Sequence, residues 1–166
     1  MFGFWIVGVY QLNLQILFGL EALPVILHTY LLSEESSGKQ HKKLSMFVVS
    51  ISIAVALVAI VVSPFFVEEL FPKYVEGVNS LQILVISIIP LTISSIYTAK
   101  LQAKESTKIG YSAIVRIGTL LILIVILGSI YELVGLSLAV LFSIIINTIF
   151  LYYLYTQANK HLKKDD

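Results

Sequence analysis

The sequence predicts an all-α, polytopic membrane helix bundle with about five transmembrane helices in a single membrane domain, residues 1–166. Composition is the first observation, because 58% of the residues are hydrophobic and only 13% are charged, against about 25% charged residues in an average soluble domain. The mean hydropathy of +0.94 is the second. The third is that the apolar residues form runs too long for the core of so small a domain to enclose. Lipid must therefore cover much of the chain.

Short polar stretches divide the chain into five apolar segments, each about as long as the roughly 20 residues that a spanning helix needs. The first ends in SEESSGKQHKK, which cannot stay in hydrocarbon and predicts a loop. The turn-forming stretch VEELFPKYVEG follows the second, the polar QAKESTK follows the third, and GSIYELVG makes a tight connection after the fourth. The predicted spans are 6–32, 44–66, 78–101, 109–127 and 136–155, and 156–166 is a polar cytoplasmic tail.

The lysines predict the orientation of these spans. They cluster in alternate connections: Lys39, Lys42 and Lys43 after the first span, Lys100, Lys104 and Lys108 after the third, and Lys160, Lys163 and Lys164 after the fifth. The other two connections carry only Lys73, beside four glutamates. Because positive residues are held on the cytoplasmic side, we expect a multi-pass protein of the cytoplasmic membrane with its N-terminus outside and its C-terminus inside. The first helix would then enter from outside, and we expect the chain to begin midway through a larger protein.

Composition also limits the chemistry. The formal net charge is only +1 and there are no cysteines, and the three histidines are scattered. We therefore expect no nucleic-acid partner, no metal site and no cofactor. No nucleophile triad or Gly-rich phosphate loop is present, so we expect no catalytic residues and no enzyme activity.

Several short motifs follow one another along the chain, and their order is the basis of a family resemblance. They are VGVYQLNLQI, ALPVILHTYL, a basic loop, SPFFVEELFPKYVEGVNSLQILVISIIP, LQAKESTKIG and LVGLSLAVLFSIIIN. In this order the chain resembles the polysaccharide and lipid-linked-oligosaccharide flippases of the multidrug/oligosaccharidyl-lipid/polysaccharide exporter superfamily. The resemblance is carried by Gly8 and Tyr10 of the Gly-x-Tyr element, by 70–74 of an outer loop, and by the Gly-rich turn 128–135.

The resemblance implies that the chain matches the last five of about twelve helices, in one lobe of a two-lobe exporter. The function it implies is transport of a saccharide-lipid across the cytoplasmic membrane, with the bilayer, the lipid-linked saccharide and the missing N-terminal helices or a partner membrane subunit as partners. Two alternatives stay open. The cation-coupled multidrug exporters share the architecture, and the chain could instead be a membrane assembly subunit that transports nothing.

Polar residues of the first span supply the candidate site. At 100° per residue, one stripe of this helix carries Tyr10, Asn13, Glu21 and His28. Glu21 lies near the middle, where an ionised side chain facing lipid costs roughly 2.5 to 3.5 kcal/mol or more. We expect either a cavity carboxylate that titrates or attracts a coupling cation, or a hydrogen-bonded carboxyl that joins two helices.

Arg116 is the second ionisable candidate, about two turns inside the fourth span. Its guanidinium could snorkel to the interface, bind the pyrophosphate of a lipid-linked sugar or pair with Glu21. Residues predicted to pack helices together are Ser87, Ser94 and Thr98, on a narrow face of small residues that also includes Ser80, and Asn147, which we expect to hydrogen-bond between helices. Pro24, Pro64 and Pro90 are expected to bend the helices that hold them.

Overall fold

The part of the chain that the structure describes is almost entirely helical. The computed structural model describes residues 4–36, 42–104 and 109–162, and within these ranges only Phe71, Ser87 and Lys104 lie outside a helix and no strand occurs. The elements are α1 (Phe4–Ser36), α2 (Lys42–Leu70), a 3₁₀ helix (Pro72–Gly77), α3 (Val78–Ile86), α4 (Ile88–Ala103) and α5 (Ile109–Leu162). The all-α prediction is confirmed. Lys39, Lys108, Lys163 and Lys164 lie outside the described residues.

Four helical stretches of the described chain are long and apolar enough to cross a membrane: Trp5–Ser33, Lys43–Leu70, Pro72–Ala103 and Ile109–Asn159. Their outer faces carry large apolar side chains with high exposure, such as Met46 and Phe65 at 71% each and Val125 at 68%. A soluble protein does not expose apolar surface on this scale. The multi-pass membrane character predicted from composition is confirmed.

Pro90 explains the division of the third predicted span into α3 and α4. A proline has no amide hydrogen, and its ring collides with the carbonyl four residues earlier, which here belongs to Ile86, the last residue of α3. Ser87 accommodates the break with its hydroxyl, which donates to the Leu84 carbonyl at 2.5 Å. The helix then resumes, because the Leu91 amide donates to the Ser87 carbonyl at 3.0 Å.

Helix α5 folds back on itself. Its 54 residues would extend about 80 Å if straight, but Glu132 has non-helical angles of φ 46° and ψ −118°. A Cβ built on Gly135 would collide with the Leu127 carbonyl group, and Lys104, which precedes α5, donates to the side chain of Asn159 near its far end. The two segments, 109–131 and 133–162, therefore run side by side. The predicted turn lay at 128–135, and the helix in fact continues to 131.

The centre of the bundle is α4, which packs against α1, α2 and α5. Fully buried side chains at its start and along α3 include Leu81, Leu84 and Ile88. Because lipid tails are as apolar as leucine, van der Waals contact and hydrogen bonds between helices, not the hydrophobic effect, must hold such helices together. Close packing of side chains and the polar contacts between helices therefore hold this bundle together.

Candidate functional site

A cavity of about 270 Å³ lies between α1, α4 and the first segment of α5. Helix α1 contributes four of the residues around it, α4 another four and α5 one. The lining residues are Glu21, Pro24, Val25, His28, Leu91, Ser94, Ser95, Thr98 and Arg116. The cavity thus collects polar groups from three separate helices.

Glu21 and Arg116, the two ionisable candidates of the sequence, line this cavity together. Glu21 is partly buried near the middle of α1, and Arg116 is partly buried seven residues after the start of α5. The guanidinium lies close enough to act electrostatically on the carboxylate. Each charge would be costly if it faced lipid alone. Placing both in one cavity lowers that cost without sealing either group away from a ligand.

His28 lies on the same side of α1 as Glu21, two turns further along. Its Nε2 atom is buried and has no hydrogen-bond partner among the described residues. Pro24 lies between them and removes one backbone donor from α1. A buried imidazole nitrogen without a partner is costly, so the cavity has an unmet capacity for a hydrogen bond at this end.

Hydroxyl groups of α4 form the opposite wall. Ser95 donates to the Thr92 carbonyl at 2.8 Å, and Thr98 donates to the Ser94 carbonyl at 2.9 Å. A hydroxyl that has given its proton to its own helix keeps its oxygen lone pairs for an incoming donor. The wall therefore presents acceptors. The guanidinium across the cavity presents donors.

Asn13 and Tyr10 are not brought to this cavity. Asn13 is 2% exposed, and its amide donates to the Gly77 carbonyl at 3.0 Å and to the Ser80 hydroxyl at 3.2 Å. Ser80 in turn lies 2.5 Å from the Ser137 hydroxyl. Tyr10 packs at the edge of the main apolar cluster. The polar stripe predicted on α1 is therefore divided. Asn13 links α1 to α3 through Ser80, and Ser80 links α3 to α5 through Ser137.

Some of the residues predicted to pack helices together are buried between helices, and others line the cavity. Ser87 is fully buried at the α3–α4 break. Asn147 donates across helices to the Ser94 hydroxyl at 3.4 Å, although its own Oδ1 has no partner among the described residues. Ser94 and Thr98 also line the cavity, so the small-residue face borders an open space along part of its length.

Sequence reasoning missed Ser95 as a cavity residue, and it missed the contact from Ser80 to Ser137. The available signal for Ser95 was its position next to Ser94 and one turn before Thr98, but periodicity does not say which of two adjacent serines faces a gap. Comparisons of the chain with protein-family models, with curated proteins and with solved structures gave no match.

Proposed function

We propose that the chain crosses the membrane five times and forms the C-terminal part of a polysaccharide or lipid-linked-oligosaccharide flippase, which moves a saccharide-lipid across the cytoplasmic membrane. The observation that carries the proposal is the cavity that both Glu21 and Arg116 line, between helices long and apolar enough to cross a membrane. The resemblance in sequence supplies the substrate class. Further membrane helices or a partner subunit would complete the pathway.

The fold-back of α5 supports five crossings. One crossing of about 30 Å cannot hold a helix of 54 residues, whereas the segments 109–131 and 133–162 each match one. The hydrogen bond from Lys104 to Asn159 places the two ends of α5 at the same end of the bundle. That arrangement supports two crossings with a turn at Glu132.

Lysine positions support the orientation. Lys43, Lys100 and Lys104 lie at one end of the bundle, at the start of α2 and the end of α4. Lys73 lies at the other end, in the 3₁₀ helix, with Glu68, Glu69 and Glu76 around it in the sequence. By the positive-inside rule, this distribution supports a cytoplasmic location for the end that carries Lys43, Lys100 and Lys104.

The chemistry of the cavity suits a sugar phosphate. A guanidinium offers planar, paired donors that match phosphate oxygens. The Glu21 carboxylate and the α4 hydroxyl oxygens accept hydrogen bonds from sugar hydroxyls. In the mechanism that the resemblance implies, two lobes rock about such a cavity and expose it alternately to the two sides.

One observation favours a second candidate, a cation-coupled multidrug exporter. A carboxylate at membrane depth beside apolar Val25 and Leu91 would attract a lipophilic cation as well as a proton or sodium ion. The two candidate functions predict different effects when either charge is removed. Removal of the Arg116 charge should weaken a pyrophosphate ligand, and removal of the Glu21 charge should weaken a cationic drug.

Binding to the full chain in lipid nanodiscs tests these functions. For a flippase, we expect a polyprenyl-pyrophosphate saccharide to bind, Arg116→Gln to weaken binding about tenfold or more through loss of charge-assisted hydrogen bonds, and Lys73→Gln to leave it unchanged. Binding of a lipophilic cation that Glu21→Gln abolishes would favour the exporter instead. If neither ligand binds, the transporter proposal fails and the assembly-subunit alternative takes its place.

Labelling of single introduced cysteines tests the five crossings, and the natural absence of cysteine gives a clean background. An impermeant maleimide added outside intact cells should label Glu76→Cys and Glu132→Cys, whereas Lys104→Cys and Asn159→Cys should react only after permeabilisation. Labelling of Lys104→Cys and Asn159→Cys from opposite sides would contradict the proposal, because a single crossing by α5 requires that result.

A further inference from the structure

Ser94 differs from the other two α4 hydroxyls that line the cavity with Glu21 and Arg116. Ser95 and Thr98 donate their protons to carbonyls of α4 itself, whereas the Ser94 hydroxyl donates to no acceptor among the described residues. Its oxygen accepts instead, because the Asn147 amide donates to it at 3.4 Å. A hydroxyl has one proton to give and two lone pairs. Ser94 therefore keeps its proton for a further partner.

The Asn147 side chain sets this polarity from the second segment of α5. It is 6% exposed, and its Nδ2 atom faces Ser94 while its Oδ1 has no partner among the described residues. An amide can either donate or accept, and in the opposite orientation it would take the Ser94 proton. In the observed orientation Asn147 gives a proton to Ser94 and so leaves the serine hydroxyl to act as a donor.

The cavity is where the Ser94 proton can find an acceptor. Ser94 is 7% exposed and lines the cavity, and a buried hydroxyl that lacks an acceptor loses the free energy of a hydrogen bond. Rotation about the bond from Cβ to Oγ turns the proton without moving the oxygen away from Asn147. A hydroxyl that already accepts a hydrogen bond is polarised and donates more strongly. A ligand in the cavity would therefore receive a strengthened donor.

Donors on two walls determine which ligand the cavity favours. Ser94 lies on α4, and the Arg116 guanidinium lies on the first segment of α5. The volume of about 270 Å³ is slightly below the range of about 300–1,000 Å³ for small-molecule pockets, so a group held there lies close to both walls. A phosphoryl group has enough oxygens to accept from both donors. A lipophilic cation has no acceptor to offer either of them.

We propose that Asn147 is a positioning residue, which holds Ser94 as a hydrogen-bond donor to a phosphoryl group across the cavity from Arg116. This inference rests on the proposed flippase function and deepens it, since it names the chemical group that the cavity recognises. Asn147 itself does not line the cavity and acts through Ser94. The arrangement selects for an anion and against the cationic ligand of the second candidate function.

The test is binding of a polyprenyl pyrophosphate to the full chain in lipid nanodiscs. Ser94→Ala should weaken binding about tenfold, the size of a lost charge-assisted hydrogen bond, and Ser94→Thr, which keeps the hydroxyl, should largely retain it. Asn147→Leu should weaken binding about threefold, since one neutral hydrogen bond then no longer holds the serine. Thr92→Val is the matched control. It removes a polar contact of α4 with Ser52 outside the cavity and should leave binding unchanged.

The double variant separates positioning from simple packing. With Ser94→Ala already present, Asn147→Leu should cause no further loss, because a residue that acts through Ser94 has nothing left to position. Losses that multiply would overturn the positioning role, because independent sites contribute additively to the free energy. If Asn147→Leu does not fold, Asn147→Asp replaces it. A carboxylate of the same shape accepts the Ser94 proton, so binding should fall at least as far as in Ser94→Ala, and unchanged binding would overturn the proposal.

Failure of this inference is distinct from failure of the proposed function. If Arg116→Gln weakens binding of the pyrophosphate while Ser94→Ala and Asn147→Leu do not, the positioning role is wrong and the flippase proposal stands. If the parent chain does not bind the pyrophosphate at all, both are wrong.

Discussion

Substitution of Gly135 by alanine should prevent α5 from folding back. A Cβ at this position would overlap the Leu127 carbonyl oxygen and would lie 2.5 Å from its carbon and 3.0 Å from the Gly128 nitrogen. All three atoms belong to the backbone, so no side chain can rotate away to relieve the overlap. Overpacking typically costs about 1–3 kcal/mol even where side chains yield. We therefore expect Gly135→Ala to lower the free energy of unfolding by about 3 kcal/mol or more.

Gly118→Ala is the matched control, because it lies in the same helix and a Cβ there meets no atom within 4 Å. Alanine also has the higher helix propensity, by about 1 kcal/mol, so this variant should be as stable as the parent or slightly more stable. The assay is unfolding by sodium dodecyl sulfate in mixed micelles, followed by circular dichroism. Equal unfolding midpoints for Gly135→Ala and Gly118→Ala would refute the close approach and, with it, the fold-back geometry.

Three further substitutions, one at a strained backbone position and two at polar contacts, are tested by the same unfolding assay. Glu132→Gly should stabilise the chain by about 1 kcal/mol, because Glu132 has a φ of 46° and glycine adopts such angles without strain; a loss of stability would show that the side chain has a role that outweighs the strain. Asn13→Leu should destabilise by about 1–3 kcal/mol, since it removes two buried hydrogen bonds, whereas Gln15→Leu on the exposed side of α1 should be neutral, and equal effects of the two would contradict the structure. Thr92→Val should cost only about 0.6 kcal/mol despite its 2.9 Å contact with Ser52, because hydrogen bonds between membrane helices are weak on average; a cost above about 2 kcal/mol would overturn that explanation.

The sequence predicted the fold class well because hydropathy is a property of single residues and their runs. Apolar stretches of sufficient length had to be helical, since only a helix satisfies every backbone group inside lipid without a partner strand. Pro90 likewise acts through its own ring, and the break beside it could be expected from the residue alone.

The candidate site was less predictable because it depends on which helix faces meet. Glu21 and Asn13 lie on one stripe of an isolated helix. In the bundle, however, Asn13 is hydrogen-bonded to Gly77 and Ser80, whereas Glu21 lines a cavity. Arg116 comes from a segment 95 positions later in the chain, and periodicity carries no distance across such a separation. The sequence therefore suggested that Glu21 could pair with Arg116, but it could not distinguish this pairing from the other two roles proposed for Arg116.

The sparse packing of segment 109–131 has a mechanical consequence. Only Ser112 and Gly128 are buried within it, and Ser112 and Thr119 hydrogen-bond to carbonyls of their own helix rather than to a neighbour. Few contacts would be lost if this segment tilted about the turn at Glu132. Arg116 would move with it, because the side chain is carried by the tilting helix, whereas Glu21 would stay with α1. The separation of the two opposite charges thus depends on a helical segment with only two buried residues, so a ligand that bridges the charges would determine how far that segment stands from the rest of the bundle.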